Sequence, residues 1–370
     1  MSKNKISSSK FDKYLQEEEF FLKDKKKYRK QRKQKSKLDR SKYKKTDLQK
    51  QKKVLPKTNH FKKGLVLSIF GEEINVRFNK KHFRCSLRGL LKKEKTKNKN
   101  ILAVGDRVFI TIKNDQGVIE DIEPRVSILS RTDEKRKKQS IIAVNIDQVL
   151  ITSSIDQPRF KPFLIDRYII ATHKGNMHPI ILINKIDLLK KLKLKEKQKF
   201  QNFIKIYKKL GYKILALSFK EKVGLNSLLK VMKNKTSVFS GQSGTGKSSL
   251  INAVLHTKLK TGSLIKKTYK GAHITTKSEL VEIKTGGFCI DTPGIKSFGI
   301  WDLKIEDIKD YFFEFKKFKN CKYENCLHLE EPNCKIKEAL DKKKISSLRF
   351  DSYRSLIKEA IDKKRTSNYE

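Results

Sequence analysis

The segment GQSGTGKS, residues 241–248, constrains the fold of this chain more than any other part of the sequence. It matches the pattern G-x-x-x-x-G-K-[ST], whose glycines let backbone N–H groups turn inward around phosphate oxygens. The residues SVF before it are typical of a strand, and SSLINAVL after it is typical of a helix, whose N-terminus favours an anion. This context predicts a doubly wound α/β domain that binds a nucleoside phosphate.

Individual residues of this region have expected roles. Lys247 is expected to reach the β- and γ-phosphates, and the Ser248 hydroxyl to coordinate Mg²⁺. In DTPG at 291–294, Asp291 is expected to hold the Mg²⁺ shell and the Gly294 N–H to meet the γ-phosphate. The loop residues predicted to bind the nucleotide are Gly241, Gln242, Ser243, Gly244, Thr245, Gly246, Lys247, Ser248 and Ser249.

A second motif, NKID at 184–187, follows the strand-like segment PIILI and predicts a guanine site. The Asp187 carboxylate can accept hydrogen bonds from guanine N1–H and N2–H₂, and adenine would leave that carboxylate unpaired. The methylenes of Lys185 can cover the base, and the segment LSFK at 217–220 can support it from the other side. The residues predicted at the base are Asn184, Lys185, Ile186, Asp187, Ser218 and Phe219.

The segment GAHITT at 271–276 lies between the phosphate loop and DTPG, where a switch loop is expected. Thr275 is the first candidate to bind Mg²⁺ there, and Thr276 is the alternative. Many GTPases place a water-orienting Gln directly after the glycine of DxxG, but Ile295 occupies that position here. His273 is therefore the candidate catalytic residue; alternatively, it only fixes the loop.

Three cysteines and one histidine lie close together near the C-terminus, at Cys321, Cys326, His328 and Cys334. Three thiolates and one imidazole form a closed tetrahedral set, which predicts one structural Zn²⁺. Cys85 and Cys289 lie in apolar segments and are predicted to be core residues.

Short alternating strands from Gly64 to about Ser130 predict a small β-barrel. The segments LVLSIFGEEINVRF, KHFRCSLRGLL, VGDRVFITI and GVIEDIEPR supply five strands, with a lysine-rich loop after the third. An OB-type barrel fits this pattern, and an SH3-like barrel is an open alternative.

Charge predicts a polyanionic partner. The chain has 88 Lys and Arg against 40 Asp and Glu, a formal net charge of +48. Residues 1–60 carry 22 basic and 7 acidic residues with few apolar ones, which predicts a disordered basic arm that contacts RNA or only solubilises the chain. No apolar run is long enough to span a membrane and no signal peptide is evident, so a cytoplasmic monomer is expected.

The order NKID, GQSGTGKS, GAHITT, DTPG is a circular permutation of the usual GTPase order. Together with the barrel before these motifs and the Cys/His cluster after them, this order resembles the RsgA (YjeQ-type) family of small ribosomal subunit biogenesis GTPases. The similarity runs from about Lys62 to Ala360. The expected domains are a basic arm at 1–60, an OB barrel at 61–135, a permuted GTPase domain at 136–300 and an α-rich zinc-binding domain at 301–370.

The resemblance implies a GTPase that binds the small ribosomal subunit late in assembly, with ribosome-stimulated hydrolysis. It implies GTP and GDP as ligands, Mg²⁺ with the nucleotide, one structural Zn²⁺, and ribosomal RNA contacts through the barrel and the zinc domain. Ala272 and Ile274 depart from the family's switch pattern. Two alternatives are an RNA-binding protein that uses GTP only as a structural ligand, and a translation-cycle GTPase.

Overall fold

The computed structural model describes most of the chain after residue 60. The described residues are 61–89, 91, 101–133, 138–255, 278–291, 303–318 and 320–368. The basic arm predicted at 1–60 lies outside them, as does most of the lysine-rich loop after the third strand.

Five strands form a closed barrel: β1 (Lys62–Phe70), β2 (Glu73–Phe78), β3 (Lys81–Leu87), β4 (Arg107–Lys113) and β5 (Gln116–Ile122). Strand β1 pairs with both β2 and β4, and β3 pairs in parallel with β5. The resulting order β1-β2-β3-β5-β4-β1 is that of an OB barrel. The OB prediction is confirmed, and this pairing excludes the SH3-like alternative.

Every second side chain along the strands points into the barrel, and these side chains fill it. Val66, Ile74, Val76 and Ile110 are at most 1% exposed and meet inside it. Their neighbours along each strand point outward, as expected for a period of two residues. Cys85 belongs to the same cluster, so its predicted place in the core is confirmed.

A two-stranded hairpin follows the barrel and was not predicted from the sequence. It consists of β6 (Ile128–Asp133) and β7 (Lys138–Val144), paired antiparallel. Its buried residues include Leu129 and Ala143. The charged run RTDEKRKK interrupts the alternating pattern of these strands, which is why the pattern did not reveal them.

A doubly wound sheet forms the centre of the molecule. Its strands are β8 (Gln148–Ser154), β9 (His178–Asn184), β10 (Lys213–Ala216), β11 (Thr236–Ser240), β12 (Glu279–Glu282) and β13 (Phe288–Asp291). They lie in the order β10-β9-β8-β11-β13-β12, and all neighbours are parallel except β12, which is antiparallel to β13. The segment PIILI, predicted as a strand before NKID, lies within β9.

Helices cover this sheet. They are α1 (Pro162–Lys174), a 3₁₀ helix (Ile186–Lys191), α2 (Leu194–Lys209), α3 (Leu225–Met232) and α4 (Lys247–Leu255). The strand before the phosphate loop, β11, lies between β8 and β13 although it is the fourth strand of this sheet in the sequence. The permutation inferred from motif order is thus visible in the sheet.

The edge strand β12 joins the sheet to the barrel. Ser68 of β1 pairs with Glu279 of β12 in antiparallel register. Nearby, an Arg77 guanidinium nitrogen lies 2.8 Å from a Glu282 carboxylate oxygen, and the same guanidinium lies 5.3 Å from the centre of the Phe288 ring. The barrel and the GTPase sheet therefore share a continuous hydrogen-bonded edge.

The C-terminal region contains α5 (Ile305–Tyr311), a 3₁₀ helix (Phe313–Phe318), α6 (Lys335–Asp341) and α7 (Ser347–Asn368). Ile345, Leu356 and Ile357 are buried in its core. Leu348 is partly buried and packs against the core of the GTPase domain. No helix among the described residues is long and apolar enough to cross a membrane.

A buried ionic group attaches α7 to α1. The Arg349 guanidinium, 2% exposed, is bonded to the fully buried carboxylate of Asp166 and lies 2.6 Å from a Glu314 oxygen. The same guanidinium lies 4.2 Å from the centre of the Phe312 ring, and the Tyr207 hydroxyl also donates to Asp166. Such a charge is stabilised only while its partners remain, because water cannot reach it.

The change Arg349→Ala is expected to lower the free energy of unfolding by about 3–5 kcal/mol, since it leaves the Asp166 charge buried without its cation. Arg354→Ala is the matched control on the same helix. Arg354 forms an exposed pair with Asp351 at 3.0 Å, so its loss should cost about 1 kcal/mol or less. Urea unfolding of both variants checks this, and equal losses would contradict it.

Candidate nucleotide and metal sites

Three glycines give the phosphate loop its shape. Gly241, Gly244 and Gly246 have φ values of 142°, 82° and 88°, in the region that disfavours residues with a Cβ atom. A Cβ at Gly241 would lie 2.0 Å from the carbonyl oxygen of Thr152, and one at Gly246 would lie 2.3 Å from Nδ2 of Asn184. The loop can therefore approach β8 only with glycine at 241, and the NKID motif only with glycine at 246.

Lys247 lies across its own loop. Its Nζ donates hydrogen bonds to the carbonyl oxygens of Gly241 at 2.8 Å and Gln242 at 2.7 Å, and the Thr245 hydroxyl donates to Gln242 at 2.9 Å. These bonds hold the ammonium group over the loop, where it can bind phosphate oxygens. Ser248 is the second residue of α4 and lies in the helix's first turn, the position at which P-loop proteins ligate Mg²⁺.

The guanine motif is bonded directly to the phosphate loop. Asn184 is 2% exposed, and its Nδ2 donates to the carbonyl oxygen of Thr245 at 2.9 Å. Strands β8 and β9 are parallel neighbours, so Asn184 at the end of β9 reaches the edge from which the loop leaves β11. Two motifs about sixty residues apart in sequence are thus brought together, as predicted.

Asp187 is held in place by Ser218. The Ser218 hydroxyl donates to Oδ1 of Asp187 at 2.7 Å, and the backbone of Ser218 bridges to Val223. The LSFK segment therefore orients the Asp187 carboxylate, which is predicted to bind guanine. Phe219 is 45% exposed and Lys185 is partly exposed, so both predicted base-covering residues lie at the motif's surface.

Two residues at this site, Gln157 and Tyr168, were not singled out from the sequence. The Lys185 ammonium donates to the carbonyl oxygen of Gln157, in the loop that follows β8. Tyr168 of α1 lies beneath the phosphate loop with its hydroxyl near Gly241, and burial raises its pKa to about 12, so the phenol keeps its proton. No sequence signal separates such a tyrosine from an ordinary core residue.

The remaining predicted site residues belong to the DTPG segment and to the predicted switch loop GAHITT. Asp291 ends β13, and its neighbour Ile290 pairs with Val238 of β11, which places Asp291 at the same edge as the phosphate loop. Gly294, Ile295, His273, Thr275 and Thr276 lie outside the described residues. Their predicted roles remain predictions.

The four predicted zinc ligands converge. The ligand atoms of Cys321, Cys326, His328 and Cys334 all lie within 4.8 Å of one another. The Cys321 and Cys334 sulfurs are 3.9 Å apart, and His328 Nδ1 lies 3.6 Å and 3.4 Å from them. Tetrahedral zinc would place two sulfurs about 3.8 Å apart and a sulfur and a nitrogen about 3.6 Å apart. This donor set therefore fits zinc.

The surrounding residues support that site. The Glu331 carboxylate accepts hydrogen bonds from the backbone N–H groups of Leu327 at 2.6 Å and Leu329 at 2.8 Å, which fixes the turn that carries His328. The Tyr353 hydroxyl donates to the Leu327 carbonyl at 3.0 Å. Burial lowers the pKa of His328 to about 4, so the imidazole is neutral, as a metal ligand must be.

The sheet order and the two bonded motifs together define a circularly permuted P-loop GTPase. A family model described as RsgA GTPase matches residues 122–301. "Small ribosomal subunit biogenesis GTPase RsgA" of Flavobacterium psychrophilum is 38% identical over 78% of this chain and 90% of its own length. The protein of that name from Alkaliphilus metalliredigens is 37% identical over 75% and 90%. This chain belongs to the RsgA GTPase family.

Solved structures agree with this assignment. The crystal structure of YjeQ from Thermotoga maritima is 29% identical, covers 81% of this chain and 99% of its own, and superposes with a TM-score of 0.66. The crystal structure of YloQ, described as a circularly permuted GTPase, is 28% identical, covers 83% and 98%, and has a TM-score of 0.65. The predicted family and fold class are confirmed.

The change Asp187→Asn is expected to weaken GTP binding by roughly 100-fold or more, because the amide cannot accept both guanine N–H bonds. Xanthosine triphosphate carries a carbonyl oxygen where guanine has its amino group, so it should bind the variant better than the parent protein. Titration of both proteins with both nucleotides measures this. Unchanged GTP affinity, or loss of both nucleotides, would contradict the assignment.

The change Cys326→Ser is expected to reduce bound zinc from one per chain to well below one and to unfold the region around the Cys/His cluster, since such sites couple metal binding to folding. Cys85→Ser is the control, because Cys85 is also buried but lies in the barrel core. Elemental analysis and proteolysis follow both effects. Equal zinc content in the two variants would disprove the ligand assignment.

Proposed function

We propose that this protein hydrolyses GTP to GDP and phosphate while bound to the small ribosomal subunit, late in that subunit's assembly. The observation that carries the GTPase part is the hydrogen bond from Asn184 to Thr245, which builds one site from the guanine motif and the phosphate loop. The relatives named as small ribosomal subunit biogenesis GTPases support the ribosomal part.

The proposed chemistry follows from placement of charge. Lys247 exchanges its bonds to the loop carbonyls for phosphate oxygens, and the backbone N–H groups of the loop bind the β-phosphate. Ser248, with Asp291 in the outer shell, would hold Mg²⁺, which when bound neutralises the charge that develops between the β- and γ-phosphates. Asp187 selects guanine. The protein's main contribution is positioning, since phosphoryl transfer needs little covalent chemistry from side chains.

We assign the orientation of the attacking water to His273. Ile295 cannot hydrogen-bond to water, and His273 lies in the segment expected to close over the γ-phosphate. A neutral imidazole can accept a hydrogen bond from that water. Ribosomal RNA that orders this segment would then explain why the subunit stimulates hydrolysis. Thr275, or Thr276 in its place, would complete the Mg²⁺ site.

The binding surface for the subunit is proposed to combine the barrel, the zinc domain and the arm at 1–60. The formal net charge of +48 would favour RNA phosphates over most protein partners. The zinc ion has a structural role in this proposal, because its four ligands leave no open position. We also propose that the protein acts as a monomer in the cytoplasm.

The test is GTP turnover with purified 30S or 50S particles. Stimulation by 30S particles alone, and co-sedimentation with them in a non-hydrolysable GTP analogue but not in GDP, is the expected result. Lys247→Ala should abolish turnover in every condition. Equal stimulation by 50S or 70S particles would favour a translation-cycle factor and contradict the assembly role.

The change His273→Ala is expected to reduce subunit-stimulated kcat by about 10²–10⁴-fold with little change in KM, the range typical of a positioned acid–base or orienting group. GTP affinity and 30S binding, measured on the same preparation, are the controls. A loss of only a few fold with both controls intact would show that His273 only fixes the loop and that another group orients the water.

A further inference from the structure

Helix α1 (Pro162–Lys174) takes part in two hydrophobic cores at once. Tyr168 and Ile169 pack in the core of the GTPase domain, whereas Ile170 packs in the core of the C-terminal region. An α-helix has about 3.6 residues per turn, so neighbouring positions on it can face two different parts of a molecule. A contact that fixes α1 therefore affects both cores.

One side of α1 reaches the phosphate loop through Tyr168. The phenol oxygen accepts a hydrogen bond from the backbone N–H of Gly241, the first residue of the loop, and lies beside the Ser240 hydroxyl. Tyr168 is 2% exposed, so water does not compete for this bond. Gly241 also lies against the backbone of Thr152 in β8. The first residue of the loop is thus fixed between β8 and α1.

Core packing alone does not explain a tyrosine at position 168. A phenylalanine would fill the same space and would bring no hydroxyl that has to be paired away from water. The hydroxyl lies where the chain leaves β11 (Thr236–Ser240) and begins the phosphate loop. A bond at that point can set the direction in which the following backbone N–H groups meet the phosphates.

The other side of α1 is fixed by α7. Arg349 of α7 is bonded to Asp166, and Glu359 of α7 is bonded to Arg167. Asp166 is fully buried and Arg167 is 3% exposed, so both pairs are shielded from water on the α1 side. Two contacts at separate places on α7 resist a rotation of α1 as well as its displacement. Asp166 and Tyr168 are two residues apart and therefore lie on opposite sides of the helix.

We propose that Tyr168 is a positioning residue for the phosphates of GTP, and that α7 keeps it in place through Asp166 and Arg167. The phosphate loop then binds a nucleotide tightly only while the C-terminal region is docked on α1. Coupling of this kind is reciprocal, so a bound nucleotide also stabilises α7 in its docked position. The inference rests on the GTP site of the proposed function and is independent of the ribosomal role.

The change Tyr168→Phe in the full-length protein is expected to weaken the binding of GTP and GDP by about 2–10-fold, the value of one lost hydrogen bond. The KM for GTP should rise by a similar factor with kcat unchanged, because the bond is made equally before and during the reaction. Tyr212→Phe is the matched control. Tyr212 is half-buried and directly precedes β10, so it lies at the edge of the sheet opposite the phosphate loop. Equal nucleotide affinities of the Tyr168→Phe and parent proteins would overturn the proposal.

The link to α7 is tested with Arg349→Lys, which keeps a cation beside Asp166 but loses the guanidinium fork. This change in the C-terminal region should weaken GTP binding by about 2–5-fold, and combined with Tyr168→Phe it should add less than its own factor, since both act through one contact. Arg354→Lys, at an exposed position of the same helix, is the control. If Arg349→Lys does not fold, Glu359→Gln is measured in its place.

The reciprocal effect is measured by hydrogen exchange with and without GDP, at a GDP concentration that saturates both the parent and the Tyr168→Phe protein. GDP should slow exchange in peptides from α7 of the parent protein. In Tyr168→Phe this protection should be lost while protection of the phosphate loop remains. Protection of α7 that persists in Tyr168→Phe would show that the coupling follows the chain after DTPG, and would overturn the proposal. Absence of α7 protection in the parent protein would also overturn it.

These outcomes can be told apart from failure of the proposed function. Failure of the parent protein to bind GTP, or normal GTP binding by Asp187→Asn, would reject the GTP site and the inference together. Tight GTP binding by the parent protein with full additivity of Tyr168→Phe and Arg349→Lys would reject only the role of α1.

Discussion

The hydrogen bond from the Asn184 amide to the Thr245 carbonyl is the contact on which the functional part of this molecule depends. It forms because β8, β9 and β11 run parallel and end at one edge, so that residues distant in sequence arrive together. The bond also requires a glycine at 246, since any Cβ there would meet the same amide. Sheet topology, loop composition and the position of the NKID motif are therefore consequences of a single packing arrangement.

Much of this arrangement could be predicted from the sequence, for identifiable reasons. Motifs such as NKID and GQSGTGKS fix both residue type and spacing, because guanine and phosphate each accept few geometries. The Cys/His cluster was equally clear, since three thiolates and one imidazole so close together have few uses other than holding a metal such as zinc. The barrel strands carried a clean period of two, which predicted their number, and the pairing of β3 with β5 then decided the topology.

Other features of the fold correspond to no recognisable pattern in the local sequence. The hairpin β6–β7 was hidden by the charged sequence run RTDEKRKK. Arginine is a residue type typical of exposed positions, and only the fold shows that Arg349 is almost fully buried against Asp166. Tyr168 and Asp166 lie two positions apart on α1, one beneath the phosphate loop and the other against α7. Helix α1 thus connects the predicted nucleotide site to the region that contains the Cys/His cluster, a role that depends on partners far away in the chain.

The pairing of β1 with β12 also has a consequence for the order of assembly during translation. The barrel contains its own closing contact, β1 with β4, so it can fold as soon as β5 leaves the ribosome. Its junction with the GTPase sheet must wait for β12, which begins at Glu279, and that strand follows the phosphate loop. The nascent chain therefore carries a complete barrel before it has the NKID and phosphate-loop motifs, and the barrel is joined to the GTPase sheet only after residue 279 of 370 has been synthesised.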